Sequence, residues 1–407
     1  MANSGLDNLA PDFWDREAEK SFFVENKAMA IANTTLRNLV AGEGKTVNRV
    51  ILSYPASATY TPGTDITATN LTGSKEALTI ATWKAARVVV DDTEERQSII
   101  SLGENIANKM MRVHNNQIEQ AVVYEVYNSA FTLDDGNVGG TSGNNAVINT
   151  NNVLQAFTAA DTKLDAGDIP KAGRTAVVGT HFINMLKLSI QGKNTVFGDG
   201  VLTRGVVANI FGWDILYSNN LPYHAKLAMA TNPTAADTVT IAGVTWTFNT
   251  SLGSNAGSVL IGADANGSQT YFVASINDTN TAATGLSGTH YNDLSAEDRF
   301  TIRDKRSITA LKSSTNVVIE GFGDIVVSET LTAAGNVWSE QRQDSMFLCK
   351  GAIDLIVQIP PRVEVLRAQN QFADIVKSMV GFGKKTYADG ARQMVRAKID
   401  ASTSDWT

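Results

Sequence analysis

The stretch that decides the fold is DDTEERQSIISLGENIANKMMRVHNNQIEQAVVYEVYN, residues 91–128. Its apolar side chains recur at helical spacing and define one face, which is typical of an amphipathic helix. The pattern predicts a helix of roughly 35 residues, about 50 Å long at 1.5 Å per residue, which is longer than a compact domain requires. The residues on this face are Ile99, Leu102, Ile106, Met110, Val113, Ile118, Val122 and Val126.

The residues before this helix carry strand patterns. The runs VNRVILSY (47–54) and EALTIATWKAARVVVDD (76–92) are rich in β-branched residues, and the segment between them is rich in Pro, Gly and Thr. This arrangement predicts a long β-hairpin over 46–90 that projects from the body. Because two strands cannot bury a core of their own, we expect the hairpin to lie on a neighbour.

The residues after the helix alternate between helix and strand patterns. The run NNVLQAFTAADTKLDA (151–166) is helical, RTAVVG (174–179) is a short buried strand, and THFINMLKLSI (180–190) is helical again. In GVVANIFGWDILYSNNLP (205–222), apolar runs on both sides of a glycine predict two short strands around a tight turn.

Composition shifts abruptly after Lys226. Between that residue and Asp293 the charged residues are three aspartates, and Thr, Ala, Gly and Asn dominate. The runs DTVTIAGVTWTFN (237–249) and QTYFVASIN (269–277) have strand character, which predicts a separate β-rich module over 223–340. The α/β pattern resumes in residues 349–383, and GARQMVRAKI (390–399) predicts a last strand.

Overall composition limits the class of protein. The chain has 407 residues, 43% of them apolar and 18% charged, with a net charge of −7, which describes a folded protein of several domains without a nucleic-acid-binding surface. The N-terminus is polar and acidic, unlike a signal peptide, and no run reaches the ~18 apolar residues of a membrane span. We expect a chain made in a cytosol, with the single cysteine, Cys349, packed as a small hydrophobe.

Motifs for catalysis are weak. The segment AGEGKT (41–46) ends like a phosphate-binding loop, but Leu39 replaces the first glycine, and a helical pattern precedes a strand pattern in the wrong order. We therefore predict that Gly42 and Gly44 end a helix and turn the chain. No metal-binding histidine spacing and no G-x-S-x-G motif occurs, so the sequence predicts no catalytic, metal-binding or cofactor-binding residue. The four histidines are His114, His181, His224 and His290.

The order of these elements resembles that of the major capsid proteins of tailed bacteriophages, the Hong Kong ninety-seven type of shell fold. ALTIATWKAARVVVDDTEE and the helix after it are similar to the return strand of the extended loop and the spine helix. RTAVVGTHFINMLKLSI is similar to a strand and helix of the axial domain, and GVVANIFGWDILYSNNLP to a recurrent hairpin ending in Asn-x-Leu-Pro or its variants. AIDLIVQIPPRVEVLRAQNQFADIVKSMVGFGKK resembles the C-terminal crossing through both domains.

The resemblance implies an α+β capsid fold whose parts follow one another along the chain. These parts are an N-terminal arm (1–45), an extended β-hairpin loop (46–90), a peripheral domain with the spine helix (91–150), an axial domain (151–222), an inserted β-rich domain (223–340), the axial domain continued (341–383) and a peripheral strand and tail (384–407).

The same resemblance implies a structural protein without enzymatic activity. Its copies would form the hexamers and pentamers of an icosahedral shell that encloses double-stranded DNA without sequence-specific contacts. The virion capsid would be its location and the host cytoplasm its place of assembly. The implied partners are a portal protein, a separate scaffolding protein and, in some shells, a decoration protein. Fewer than 50 residues precede the first hairpin strand, so we expect no fused scaffolding segment and either a separate scaffolding protein or none.

Aromatic residues of the hairpin and the arm are the candidate contacts between subunits. We expect the arm to dock on its own spine helix or on a neighbour, and Trp83 fits a place in the hairpin core equally well. The candidates are Phe13, Trp14, Phe22 and Phe23 of the arm, and Tyr54, Tyr60 and Trp83 of the hairpin.

Two other functions remain open at this point. One is an encapsulin-like nanocompartment shell that encloses cargo enzymes, against which the large insert argues. The other is a surface-binding or glycan-binding β module on a structural platform, which the Thr- and Asn-rich turns permit.

Overall fold

A computed structural model describes residues 28–36, 44–57, 59–66, 68, 70–97, 102–191, 209–278, 289–369 and 371–402. The arm residues Phe13, Trp14, Phe22 and Phe23 and the helix residue Ile99 lie outside these ranges. Within them the chain is a mixed α+β structure. None of the described helices is both long and apolar enough to cross a lipid bilayer.

The strands are numbered in chain order. They are β1 (Thr46–Leu52), β2 (Gly73–Thr79), β3 (Thr82–Asp91), β4 (Phe131–Leu133), β5 (Arg174–Val178), β6 (Asn209–Ile210), β7 (Trp213–Tyr217), β8 (Pro222–Met229), β9 (Thr238–Ile241), β10 (Val244–Asn249), β11 (Ser258–Leu260), β12 (Thr309–Ser313), β13 (Asn316–Phe322), β14 (Val327–Glu329), β15 (Asn336–Cys349), β16 (Asp354–Arg367), β17 (Ala373–Lys385) and β18 (Met394–Asp400).

The helices are fewer and mostly short. They are α1 (Asp92–Gln97), α2 (Leu102–Tyr124), α3 (Val153–Ala166), α4 (Thr180–Gln191), α5 (Ala265–Asn277), α6 (Ala296–Arg299) and α7 (Ala388–Arg392). A 3-10 turn, Glu125–Asn128, extends α2, so the long helix ends at the residue that its sequence pattern predicts.

Strand β15 organises the largest sheet. Along one edge it pairs antiparallel with β18. Along its other edge its first half pairs with β8 and its last residues pair with β5, both antiparallel. From β5 the sheet continues through the parallel neighbour β7 to β6, and from β8 it continues through β13 to β12. One strand therefore joins the predicted axial segment and the predicted insert in a single sheet.

Strand β5 is buried on both faces, so its alternate side chains belong to two different cores. Ala176 and Val178 pack beneath α3 and α4, while Val177 packs with Ile118 and Val122 of α2. In the first core the rings of Phe157, Phe182, Trp213 and Phe347 meet edge to face, with centroids 5.4 to 6.1 Å apart. The axial segment is thus a sheet with helices on both faces.

A three-stranded sheet, β16-β17-β3, forms the other half of the body. Helix α2 covers one of its faces, where Met110 packs on Val90 and Val376. Arg367 in β16 forms ion pairs with the carboxylates of Asp92 in α1 and Asp374 in β17. These ion pairs attach the start of α1 to one end of the sheet.

Several local predictions are confirmed. The helix at 151–166, the buried strand at 174–179 and the helix at 180–190 correspond to α3, β5 and α4. The turn between β6 and β7 places Phe211 at φ +52° and Gly212 at φ +83°, a left-handed pair that closes a tight hairpin. Cys349 is buried as expected, and burial raises the pKa of its thiol.

Two predictions of secondary structure are wrong. The return strand predicted as one piece over 76–92 is two strands, because the chain breaks at Ile80 and Ala81, β2 pairs with β1, and β3 pairs with β17. The run QTYFVASIN lies in helix α5, because Asp264 caps its first turn and Ser268, Phe272 and Ile276 share one buried face.

The predicted insert is not separate from the body. Its strands β8, β13 and β12 extend the central sheet, while β11-β10-β9-β14 form a second sheet packed with α5 over a core that includes Tyr223, Leu227, Trp246, Phe272 and Ile319. The insert has its own hydrophobic core and shares its main sheet with the axial segment. The boundaries 223–340 stay a prediction.

Replacing Phe347 tests the aromatic core. We expect Phe347→Ala to lower the free energy of unfolding by about 3–5 kcal/mol, because the ring is fully buried among three other aromatic rings. Phe347→Leu keeps much of the volume and serves as the control, with an expected loss of less than about 2 kcal/mol. Urea unfolding followed by tryptophan fluorescence measures both, and equal stability of the Ala variant and the parent would contradict this packing.

Candidate assembly surface

The hairpin β1–β2, which we call the finger, extends from the body with little buried surface of its own. The two strands pair antiparallel from Thr46 opposite Thr79 to Leu52 opposite Gly73. Most of their side chains are exposed, among them Val50 and Leu52. An isolated two-stranded hairpin is marginally stable in water, so this surface needs a partner to cover it.

The base of the finger is anchored to the body. Leu78 and Ile80 are buried against Ile356 and Tyr387. Arg49 forms an ion pair with Asp389 and lies over the Tyr387 ring, 5.2 Å from its centroid. The finger is therefore fixed where it leaves the body and uncovered beyond that point.

The structure places the hairpin candidates on exposed surface. Tyr54, just after β1, is 97% exposed, and Tyr60, in the loop at the tip, is 61% exposed. Ile66 and Leu71 nearby are also exposed, and sequence reasoning missed them although they are the two large aliphatic residues of the polar 55–75 segment. Their contacts between subunits stay a prediction.

Trp83 lies away from the finger, on β3. Its ring rests on Gly381 of β17, where an added Cβ would collide with it, and half of the side chain is exposed. Cross-strand pairing puts it on the sheet face opposite α2, the face that also carries Met379, Lys377 and Leu366. It is neither a finger-tip residue nor a hairpin core residue, and its role as a contact stays a prediction.

The C-terminal end of α2 is held to β17 by a buried ion pair. The Glu125 carboxylate accepts from Lys384 Nζ at 3.1 Å, from the Thr386 hydroxyl at 2.8 Å and from Asn128 Nδ2 at 2.8 Å. Burial alone would raise the pKa of Glu125, but Lys384 and these hydrogen bonds outweigh it and lower the pKa below its usual value.

The middle of α2 presents polar side chains to the rest of the body. Glu119 is fully buried and accepts from Ser218 Oγ at 3.2 Å and from Asn220 Nδ2 at 2.8 Å. Gln120 donates to the Lys305 carbonyl at 2.9 Å and accepts from Ser307 Oγ at 2.7 Å. The SNNLP segment and the 300–307 segment are thus both tied to one helix.

The described residues hold no arrangement suited to a metal ion: no three His, Cys, Asp or Glu side chains converge within these ranges. His114 Nε2 lies 2.9 Å from Ser378 Oγ and His181 Nε2 lies 3.1 Å from the Ile148 carbonyl, so both are packed side chains with protein partners. Gly44, at φ +105°, leads into strand β1 and not into a helix, unlike the Gly-Lys-Thr of a phosphate-binding loop, and Gly42 lies outside the described residues.

Three solved structures illustrate the similarity of the fold. A chain of Mycobacterium phage Che8 has a TM-score of 0.58 and 13% identity, covering 98% of this chain and 99% of its own. A chain from the capsid of cyanophage P-SCSP1u has a TM-score of 0.56 and 12% identity, and the match covers 98% of this chain and 94% of that chain. A chain from the mature capsid of bacteriophage PhiM1 has a TM-score of 0.51 and 11% identity, and the match covers 96% of this chain and 91% of that chain.

No family model matches the sequence, and no curated protein matches it either. The similarity to solved structures nevertheless extends over nearly the whole of each chain. The chain therefore has the fold of phage capsid subunits, which confirms the α+β shell fold that the sequence resemblance implied.

The Glu125 contacts predict a specific pH dependence. Because the pKa of Glu125 is lower in the folded chain, its stabilisation is fully present above the usual value of 4.5 and is lost as the pH falls through the folded pKa. Glu125→Gln is expected to cost on the order of 2 kcal/mol at pH 7 and to flatten this acid dependence.

The matched control is Glu364→Gln. Glu364 also contacts a lysine, Lys377, at 3.0 Å, but on an exposed sheet face where ion pairs contribute little. Urea unfolding at several pH values between 3 and 8 measures both variants. Equal losses in the two variants, or none in Glu125→Gln, would show that Glu125 does not hold α2 to β17.

Proposed function

We propose that this chain is a structural protein, the major capsid subunit of a tailed phage, and that many copies form its closed shell. The observation that carries this proposal is the match in fold to phage capsid chains over nearly the full length of both partners. The long uncovered finger also supports the proposal, because each subunit then has surface that only another subunit can cover. The proposal involves no catalytic residue, cofactor or metal.

The finer parts of the proposal follow from the same fold. The subunits would form hexamers and pentamers of an icosahedral shell, assembled in the host cytoplasm around a separate scaffolding protein and joined to a portal protein. Double-stranded DNA would be enclosed without sequence-specific contacts. A net charge of −7 supports this, because a shell that held phosphates strongly would hinder the packing of a genome. Decoration proteins would bind the outside of such a shell where they occur.

The division into arm, extended loop, peripheral domain, axial domain and insert is part of this proposal, with the boundaries that the sequence predicts. The polar contacts of Asn116 and Gln120 with the Lys305 carbonyl favour an insert that strengthens the subunit body. They give no support to a platform that merely carries a surface-binding module. A nanocompartment shell is distinguished by its content, since purified particles would then enclose protein cargo and no genome.

Sedimentation of the expressed chain tests the central proposal. We expect megadalton particles on sedimentation and closed shells of uniform diameter in electron micrographs. A chain that stays monomeric at high concentration would contradict the proposal.

The finger-tip tyrosines provide a sharper test. We expect the double variant Tyr54→Ser, Tyr60→Ser to lower the yield of particles by about tenfold or more, because aromatic side chains dominate contact energies. Its melting temperature should match that of the parent, since both side chains are exposed in the subunit. The control is Tyr54→Phe, Tyr60→Phe, which keeps the rings and should assemble. Normal assembly of the serine variant would show that these two tyrosines do not contribute to contacts between subunits.

The arm residues Phe13, Trp14, Phe22 and Phe23 are tested by truncation. Deleting residues 1–25 removes all four and is expected to prevent normal particles, because the arm then has no apolar surface to dock. Deleting residues 1–10 keeps the four aromatic residues and is the control. Particles of normal yield and size from the longer deletion, measured by sedimentation and microscopy, would exclude a role of the arm in assembly.

A further inference from the structure

The three-stranded sheet β16-β17-β3 leaves one of its faces uncovered. Helix α2 packs on Val90 and Val376, so the side chains that alternate with these along the strands lie on the opposite face. On that opposite face Trp83 is 50% exposed, Val89 is 42% exposed and Leu366 is 48% exposed. We call it the bare face, because these large apolar side chains remain in contact with solvent.

A hollow of about 350 Å³ in the bare face carries more positive than negative charge. Its one carboxylate, Glu364, lies 3.0 Å from Lys377 Nζ and 3.6 Å from the Arg362 guanidinium, so two cations share it. Arg87, the third cation of the lining, forms no ion pair in the described part of the chain. The charged side chains of the hollow therefore sum to two positive charges.

The charge of the hollow distinguishes the segments that could cover this face. Exposed apolar surface with a polar rim marks an interaction site. The finger of a neighbouring copy with its tip loop, residues 46–79, has no net charge, and a second copy of the bare face would be repelled. Residues 1–27 of the arm carry six acidic and three basic side chains. The arm is therefore the segment whose charge complements the bare face.

The arm also has the apolar side chains that such a face requires. Its aromatic residues stand next to acidic ones, as in Asp12-Phe13-Trp14-Asp15. An aromatic ring that fills a hollow gives most of the contact energy. The flanking carboxylates add little free energy at an exposed site, but they orient the segment toward Arg87 and Lys377.

The arm is long enough to reach the bare face of its own chain. Asn33 is hydrogen-bonded to the backbone of Ile353 and Leu355 at the start of β16, and the hollow lies about ten residues, or about 30 Å, further along that strand. The extended chain between Trp14 and Ala28, the first described residue, can span about 46 Å. Docking within one chain is favoured by an effective concentration on the order of 1 mM, which a neighbour in dilute solution does not have.

We propose that residues 12–23 of the arm cover the bare face of their own chain, with an aromatic side chain in the hollow and carboxylates beside its cations. The docking surface is the sheet face opposite α2 and not the helix itself. The proposal concerns the single subunit, so it does not rest on the shell function. The arm of a neighbour and the finger of a neighbour are the alternatives that the experiment decides between.

Cysteine labelling of the unassembled subunit tests this docking. Ala85→Cys places a thiol in the hollow, whereas the natural Cys349 is buried. We expect a maleimide to label the new thiol about tenfold more slowly in the full chain than in the same variant without residues 1–25, because the docked arm excludes the reagent. Leu311→Cys, at an exposed position of β12, is the control and should be labelled at the same rate in both chains.

Two further variants keep the arm at full length and separate the roles of its rings and its charges. Serine at the four aromatic positions of the arm should raise the labelling rate of Ala85→Cys to that of the truncated chain. Arg87→Glu should raise the rate about threefold, since an exposed ion pair contributes little. Adding Asp12→Lys and Asp15→Lys to Arg87→Glu should slow the labelling again, because opposite charges then face each other.

The concentration of the subunit decides whose arm is bound. Equal protection at about 1 µM and about 20 µM, in samples without particles, identifies the arm of the same chain. Protection that rises over this range assigns the bound arm to a neighbouring copy and overturns the proposal. Equal labelling of Ala85→Cys with and without the arm also overturns it, because the face is then open or covered by another segment. None of these measurements requires particles, so a failure of the shell function leaves the test intact.

Discussion

The polar face of α2 is the constraint on which the rest of the molecule depends. Glu119 is fully buried there, and Asn116 and Gln120 beside it are almost as inaccessible. A buried polar group without a partner costs about 1–3 kcal/mol, so these side chains require the contacts that Ser218, Asn220 and the 305–307 segment supply. Two segments, about 100 and about 185 residues further along the chain, are therefore held to one helix. Neither of them can move away without leaving a buried carboxylate or amide unsatisfied.

The same helix also fixes the peripheral half of the body. Met110 packs on β17, His114 bonds to Ser378, and the Glu125 extension binds Lys384. Apolar contacts at one end and an ion pair at the other join the helix to the three-stranded sheet. The finger contrasts with this unit, because it is buried only at its base. Under the proposed function, the free energy of assembly would come from the surface that the finger leaves uncovered.

Sequence patterns predicted the elements whose character is local. The apolar period of α2, the buried run of β5 and the glycine at position 212 each express their structure within a few residues. The break between β2 and β3 was missed because nothing in 76–92 interrupts its strand pattern. Burial of Ile80 against Tyr387 and Ile356 creates it. Helix α5 was missed because its short aromatic and β-branched run fits both the helical period and the strand period. The residue that caps the helix, Asp264, lies before the run. The base of the finger depends on contacts between residues more than 300 positions apart, such as Arg49 with Asp389, which no spacing rule brings together.

The continuity of the central sheet explains why composition suggested a separate module where the structure has shared strands. Strand β8 alternates: Tyr223, Ala225 and Leu227 face the insert core, and His224 and Lys226 face the other side of the sheet. On that other side His224 lies beside Glu320 of β13, and Arg342 of β15 contacts the fully buried Asp344. The charged face therefore runs across strands of both the insert and the axial segment. The predicted insert is joined to β15 by backbone hydrogen bonds and to α2 by Gln120. A composition shift marks where the surface chemistry changes, whereas the pairing of strands decides what the predicted insert is attached to.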